Sequence, residues 1–598
     1  MSLVSSKEIA KAIGVDKYGF VGTSIGWTLM KVLRISKLNK LYDKHKDKAC
    51  YDFLKAVLND LQVDYEIPEK DLKRIPKEGP FITISNHPLG GLDGIILLRL
   101  IMERRADFKV IANFLLHRIA PMKPYIMAVN PFESHKDVKS SVGGIKEALS
   151  HLKSGQALGV FPAGEVSTLG EGDIYIDRPW EESALKLIKK AQVPVIPIYF
   201  HAKNSRSFYS LSKLSETLRT AKLPSELYSQ KGKKVKIRIG KPITVKDQEP
   251  YSDIKSFGEF LRRKTYMLSN AYDKQSKHIP TPTIKISRGA KDIVNRGDLS
   301  AMEKEILSLR TSGARFFEIK NYEVFFASAD QMPNLLQEIG RLREISFRAV
   351  GEGTNNATDL DSFDQYYHHL FLWDKEASQL VGAYRMGLGV DIYKAKGISG
   401  FYVQTLFKFD QELHKMMSET IDMGRAFIVQ EYQQKPLPLF YLWKGIVHVT
   451  LRYPDHKYII GGVSISNQFS NFSKSLMIEF MKSHYYDPYI AQYVRPKKEY
   501  KVKLKDADKE FVFDSTKSDL NKFDKVIDEL EPGNLRLPVL IKKYIKQNAK
   551  LVAFNVDPKF NNAIDGLFLL TISDLPESTV QPVIEEFQAE ILRKSEGN

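Results

Sequence analysis

The stretch Phe81-Ile82-Thr83-Ile84-Ser85-Asn86-His87-Pro88-Leu89-Gly90-Gly91-Leu92-Asp93 decides how the chain is read. Its first five residues form an apolar β-type run that predicts a strand, and the apolar stretch Leu92 to Arg104 predicts a helix. Pro88, Gly90 and Gly91 mark the turn between them. A histidine and a carboxylate therefore share one strand-to-helix corner. His87 can take a proton from a hydroxyl at neutral pH, while Asp93 can fix the imidazole tautomer and stabilise the imidazolium that forms. Such a pair activates a hydroxyl without a covalent nucleophile. Asp93 also falls in the first helical turn, where the macrodipole favours any carboxylate, so the pair alone does not settle a function.

Working outward, strand and helix patterns alternate from about residue 60 to 245. Strands are predicted at Phe108 to Ala112, Ala157 to Phe161, Val193 to Phe200 and Lys234 to Ile239, with helices at Ser141 to Leu152 and Pro179 to Ala191. That alternation argues an α/β domain. The stretch from Lys274 to Leu299, with Pro280 and Pro282, lacks helical periodicity and reads as a linker. Beyond it, strands are predicted at Phe316 to Ala327, His368 to Trp373, Gln379 to Met386, Lys457 to Ser466 and Gly566 to Ile572. Helices are predicted at Met332 to Phe347, Pro436 to Arg452 and Phe472 to His484. The expected organisation is α/β in two domains: a basic amphipathic helical region over 1–60, an α/β domain over 61–273, a linker over 274–315 and a mixed-sheet α/β domain over 316–598.

With 598 residues the chain is too long for one core. Its net charge of +17 suits anionic partners: membrane surfaces, an acidic carrier protein or nucleic acid. No motif supports the last of these. The single cysteine, Cys50, can form no intramolecular disulfide, which fits a reducing cytoplasm. Met1 to Gly14 has no continuous apolar region of signal-peptide type, and no run reaches the length that spans a bilayer. The segment Val21 to Tyr42 mixes Ile25, Trp27, Leu29, Val32 and Leu33 with Lys31, Arg34, Lys37 and Lys40. It suits a membrane interface and equally a helix packed on its own domain. No set of histidines, carboxylates and thiols has metal-ligand spacing.

Four ordered blocks in the first half resemble the glycerophospholipid acyltransferase family: Ser85-Asn86-His87 with Asp93, Phe161-Pro162-Ala163-Gly164-Glu165-Val166-Ser167, Val193 to Ile198, and Ile237 to Ile243. The resemblance implies that His87 deprotonates an acceptor hydroxyl that attacks an acyl thioester, with Asp93 supporting it. Asn86, Gly90, Gly91, Gly164, Glu165 and Arg178 then become candidates around the substrate, the glycine amides as oxyanion donors. Two departures matter. Five residues rather than four separate His87 from Asp93, as in a subgroup labelled hemolysin-like. Val166 also stands where the family has a phosphate-binding arginine, and valine cannot bind phosphate. An acceptor without a nearby phosphate is therefore expected, unless Arg178 supplies the charge. Glu165 reads equally as acceptor-binding or structural.

The second half resembles the N-acyltransferases that make acyl amino acids, relatives of the GNAT fold. The resemblance lies in Asp361-Ser362-Phe363-Asp364, His368-His369, Val381 to Arg385, Asp422 to Arg425, Leu537 to Tyr544 and Asp557 to Asn561. Asp361, Asp364, Asp422, Arg385 and Arg425 are the charged candidates: carboxylates for an ammonium, arginines for a carboxylate. Each reads equally as a structural ion pair. Acyl-CoA enzymes of this fold carry a glycine-rich turn whose amides bind pyrophosphate. Here the chain after Arg425 runs Gln433-Gln434-Lys435-Pro436-Leu437-Pro438, and proline removes amide donors. That favours an acyl carrier protein over CoA as the thioester donor.

Together the halves resemble bifunctional aminolipid synthases. The second domain would N-acylate an amino acid, ornithine first, with a 3-hydroxyacyl chain, and the first would O-acylate the resulting lyso-lipid. Expected partners are an acyl carrier protein and the inner-leaflet membrane surface, with no bound cofactor, no metal and no nucleic acid. The expected place is the cytoplasm, peripheral on the inner membrane. The rival reading is a lysophospholipid or 1-acylglycerol-phosphate acyltransferase with a non-catalytic second domain.

Overall fold

The computed structural model describes residues 3–12, 14–129, 138–169, 175–212, 222–272 and 290–596. The chain forms two compact units, Met1–Asp273 with Asp528–Asn534, and Lys274–Ile527 with Leu535–Asn598. Both are mixed α/β. The prolines read as linker, Pro280 and Pro282, lie outside the described residues, and part of the remaining linker stretch is a helix, Leu299–Thr311, capped by Asp298.

The first unit is built on a seven-stranded sheet: β1 (Asp64–Glu66), β2 (Phe81–Ser85), β3 (Lys109–Asn113), β4 (Ile126–Val129), β5 (Ala157–Val160), β6 (Val195–His201) and β7 (Lys234–Ile239), in the order β1-β7-β6-β2-β5-β3-β4. Strands β2 to β6 run parallel; β7 is antiparallel to β6 and carries β1 with it. All five residues of β2 are buried, as a central parallel strand requires. The helix that follows, Gly91–Met102, is apolar nearly all round and buries Leu92, Ile95, Ile96, Leu97, Leu98, Leu100 and Ile101. It therefore packs deep in the unit rather than along its surface. His87 consequently sits beyond the carboxyl end of a central strand, where open α/β sheets place their ligands.

The Val21 to Tyr42 segment is not one helix. It is two, Gly19–Val32 and Ile35–His45, broken at Arg34, whose φ of 58° is left-handed. The first packs through Gly22, Gly26 and Met30 and leaves Phe20, Val21, Trp27 and Val32 exposed. Among the described residues no helix is long and apolar enough to cross a membrane.

The second unit holds an eight-stranded sheet: β8 (Arg315–Ile319), β9 (Tyr322–Ser328), β10 (His368–Asp374), β11 (Gln379–Leu388), β12 (Thr420–Ile428), β13 (Tyr458–Ile465), β14 (Lys550–Asp557) and β15 (Ala563–Thr571), ordered β8-β9-β10-β11-β12-β13-β15-β14. The single strand expected over Phe316 to Ala327 is thus a hairpin, turning at Lys320-Asn321 with Lys320 at φ 56°. Every pairing is antiparallel except β12 with β13. Those two pair only over Thr420↔Tyr458, Ile421↔Ile459 and Asp422↔Ile460, then part. At the parting point Gly461 is required, because a Cβ there would stand 2.3 Å from the Met423 carbonyl oxygen. The strands diverge into a cleft in the middle of the sheet.

Candidate active sites

In the first unit Gly90 takes φ 75° and ψ −129°, a conformation open essentially to glycine, and caps the helix that begins at Gly91. The turn folds Asp93 back under His87. One oxygen, Asp93 Oδ2, accepts from Leu89 N at 2.7 Å and Gly90 N at 3.1 Å and stands 3.1 Å from His87 Nδ1. Asp93 is fully buried, and its other oxygen has no hydrogen-bond partner among the described residues. Burial pushes its carboxyl above the ordinary range, against the pull of His87 and of the Leu89 amide. With Nδ1–H directed at the carboxylate, Nε2 is the nitrogen left to act as base. The ring packs on Phe161 at 4.3 Å between centroids.

A residue not singled out in sequence holds the histidine backbone. Asp177 Oδ1 accepts from His87 N at 3.2 Å and from Ser167 Oγ at 2.5 Å, while Ser167 N donates to the His87 carbonyl at 2.9 Å. These bonds tie the Phe161 to Ser167 block to the His87 turn.

The other expected residues divide. Asn86 does not face a substrate: its side chain donates to the Phe200 carbonyl at 3.0 Å and accepts from Phe200 N at 2.7 Å, pinning β2 to β6. The amides of Gly90 and Gly164 are engaged, by Asp93 Oδ2 and by the Phe161 carbonyl at 3.0 Å. Gly91 opens a helix, where amides lack an intrahelical acceptor, so of the three it is the one left as an oxyanion-donor candidate. Val166 is buried with Phe208 and Tyr209 in an apolar cluster. Arg178 Nε lies 3.0 Å from Glu165 Oε1, so the guanidinium that could supply a charge in place of the missing arginine is shared with a carboxylate in a partly exposed pair.

In the second unit Asp361, Asp364, Arg385 and Arg425 meet in one network that also contains Arg343 and Asp359 and is buried except at the partly exposed Asp361 and, to a lesser degree, Arg425. Asp361 lies 2.6 Å from Arg385, Asp364 lies 2.8 Å from Arg343 and 3.3 Å from Arg385, and Arg425 lies 3.4 Å from Asp359 and 3.6 Å from Asp361. Burial works to raise the Asp364 pKa, but Arg343 and Arg385 outweigh it and hold the carboxyl well below its usual range. Asp422 stands apart: it accepts from Tyr367 Oη at 2.8 Å and Val403 N at 3.2 Å, a structural use.

Arg425 occupies a β-bulge. Between Ala383↔Phe427 and Arg385↔Gly424, two residues of β12 oppose one of β11, and Arg425 takes φ 52°. Bulges and left-handed non-glycine residues of this kind re-aim side chains at functional sites. Here the result is a guanidinium at the wall of the cleft between β12 and β13, a cavity of about 220 Å³ whose polar lining includes Glu352, Tyr402, Ser464, Asp557 and Asp565. Glu352 and Asp565 escaped the sequence reading. The available signal for Asp565 was a lone carboxylate in the otherwise apolar strand Ala563–Thr571. The helix after β12, Pro436–Arg452, has proline in its first turn, so that end offers fewer amides to a pyrophosphate.

Comparison with known proteins completes the picture. A family model described as acyltransferase matches residues 10–275, and one described as acetyltransferase (GNAT) domain matches residues 342–444. The chain is 26% identical over 298 residues to a glycine N(alpha)-acyltransferase of Bacteroides thetaiotaomicron, covering 47% of this chain and 87% of that protein. It is 26% identical over 274 residues to a lyso-glycine lipid O-acyltransferase of the same organism, covering 44% of this chain and 97% of that protein. A glycine N(alpha)-acyltransferase of Phocaeicola vulgatus is 26% identical over 308 residues, covering 48% of this chain and 93% of that protein.

Proposed function

We propose that this chain, an acyltransferase in which an N-terminal acyltransferase domain is joined to a C-terminal GNAT domain, makes a diacylated aminolipid in two steps. The observation that carries the reading is its similarity to two enzymes of one organism, one named for N-acylating glycine and one for O-acylating a lyso-glycine lipid. The second unit transfers a 3-hydroxyacyl chain from a thioester to the α-amine of an amino acid. The first unit then acylates the 3-hydroxyl.

In the O-acylation step, His87 Nε2 takes the hydroxyl proton as the oxygen attacks the thioester carbonyl, and Asp93 stabilises the imidazolium. The amide of Gly91 faces the oxyanion. The imidazolium then returns its proton to the departing thiolate. A buried Val166 and an Arg178 paired with Glu165 support an acceptor without a phosphate beside its hydroxyl. In the N-acylation step Arg425 holds the amino-acid carboxylate. The relatives' names point to glycine. The three carboxylates that line the cavity with Arg425 suit an acceptor with a second ammonium, as in ornithine. An acyl carrier protein as donor is supported by the prolines at Pro436 and Pro438 and by the net charge of +17. A peripheral position on the cytoplasmic face of the inner membrane is supported by exposed Phe20 and Trp27 among lysines.

The test supplies purified full-length chain with 3-hydroxypalmitoyl and palmitoyl acyl carrier protein and either glycine or ornithine, with products read by mass spectrometry. Diacylated product from one acceptor supports the scheme and names the amino acid. Acylation of lysophosphatidic acid in its place, with no amide product, favours the lysophospholipid reading.

A further inference from the structure

Two of the three carboxylates that line the cleft between β12 and β13 share one serine. Asp565 lies on β15 opposite Ser464 of β13 in the strand register, and Ser464 Oγ donates to Asp565 Oδ1 at 2.8 Å. Glu352 reaches the same serine from the turn after the helix Pro333–Ala349. Both line the cavity that Arg425 walls. Asp565 is 7% exposed and no ion pair to it is found among the described residues, unlike the network carboxylates Asp359, Asp361 and Asp364, each of which has an arginine partner. Among the described residues, the charged and titratable groups that line the cavity with it are Glu352, Asp557 of β14, Arg425 of β12, Tyr402 and Tyr544.

We propose that Asp565, with Glu352 beside it across Ser464, is the base that takes a proton from the α-ammonium of the amino acid in the N-acylation step. The inference rests on the two-step reading above. An ammonium cannot attack a carbonyl until it loses a proton, and Arg425 on the same cavity wall sets the acceptor's carboxylate end. The ammonium gives one proton to the Asp565 carboxylate, leaving a neutral amine and a carboxylic acid. The nitrogen lone pair forms the C–N bond at the thioester carbonyl, the C–S bond breaks, and the thiolate leaves with the second nitrogen proton. Asp565 then returns its proton to solvent. Burial, helped by Asp557 and opposed by Ser464 and Arg425, pushes Asp565 up to about 7, and burial with Asp565 pushes Glu352 up to about 7. A base poised near neutrality has a useful population of its charged form and enough basicity to accept the proton.

The experiment measures N-acylation by the full-length chain with 3-hydroxypalmitoyl acyl carrier protein, using glycine, ornithine and hydroxylamine as acceptors. Hydroxylamine is already neutral at pH 7 and needs no base to expose its lone pair. For Asp565→Asn the rate with the amino acid falls by about 100-fold or more with the donor KM unchanged, while hydroxylamine is acylated at the wild-type rate. The wild-type rate rises with pH through about 7, and in Glu352→Gln that rise moves to lower pH because a neighbouring negative charge is gone. An Asp565→Asn enzyme as fast as wild type with amino acids, or equally slow with hydroxylamine, overturns the assignment while leaving the two-step reading intact. A wild-type chain that acylates none of the three acceptors overturns that reading and this inference with it.

Discussion

Replacing Asp93 by asparagine separates the charge of the His87 turn from its shape. All three groups that meet this side chain, His87 Nδ1, Leu89 N and Gly90 N, meet the same oxygen. An asparagine placed with its carbonyl oxygen there keeps all three contacts. Its NH2 falls where Asp93 Oδ1 now sits buried without a partner. An unpartnered buried donor costs about 1–3 kcal/mol. Against that, the neutral amide escapes the burial penalty that raises the Asp93 pKa. The net change in stability should stay within about 2 kcal/mol, a shift of roughly 4–8 °C in Tm. The chemistry is more sensitive, because the imidazolium formed in the transition state loses a neighbouring charge. At a charge separation of about 4 Å and an effective dielectric of about 20 that attraction is about 4 kcal/mol, or about 10³-fold in rate. The assay follows O-acylation of a supplied 3-hydroxyacyl amino acid alongside N-acylation and the melting curve of the same preparation. Wild-type O-acylation by a folded Asp93→Asn chain would refute the general-base assignment. Loss of folding would refute the account of the turn.

Three further outcomes are expected. Val166→Arg does not create a phosphate site; it drives a guanidinium among Phe208 and Tyr209 and lowers the first unit's stability by about 3 kcal/mol or more, seen as a lower first transition in differential scanning fluorimetry. Asp364 has a folded pKa held below the ordinary carboxylate value, so its stabilisation is complete above about pH 4 and is lost as pH falls below that. Asp364→Asn should therefore melt earlier at pH 7, by about 3–5 kcal/mol for a broken buried pair, and show a shallower acid dependence than wild type. Phe20→Ser with Trp27→Ser should cut flotation with anionic vesicles at least about tenfold, given roughly 1.5–3 kcal/mol for each large apolar side chain, without changing rates on soluble acceptors; unaltered flotation would exclude that helix as the contact.

What could be read from sequence was what is local. His87 and Asp93 lie six residues apart on one turn, so their meeting was legible from strand, turn and helix signals alone. The helix Pro436–Arg452 matched at both ends, because proline marks its start and apolar periodicity carries its length. Turns hidden inside apolar runs were harder. Lys320-Asn321 interrupts a continuous β-type pattern, and Arg34 breaks an amphipathic one, each through a left-handed residue that periodicity does not register. The role of Asn86 is not legible in sequence because its partner, the Phe200 backbone, is supplied by a strand more than a hundred residues away. A still longer separation conceals Glu352 and Asp565, which meet at Ser464 once β15 has paired with β13. Asp177 escaped because its role is exerted on backbone atoms of His87 and Ser167, which no side-chain motif encodes.

The most direct test of the two-step scheme is mass spectrometry of lipids from a bacterial host that makes no aminolipids, expressing the intact chain, His87→Ala or Arg425→Ala. The account predicts a diacylated aminolipid from the intact chain, only the mono-N-acylated hydroxyacyl amino acid from His87→Ala, and neither from Arg425→Ala, whose extract still O-acylates a supplied hydroxyacyl amino acid. An intact, well-expressed chain that yields no aminolipid and instead remodels phospholipids in a His87-dependent manner would contradict it.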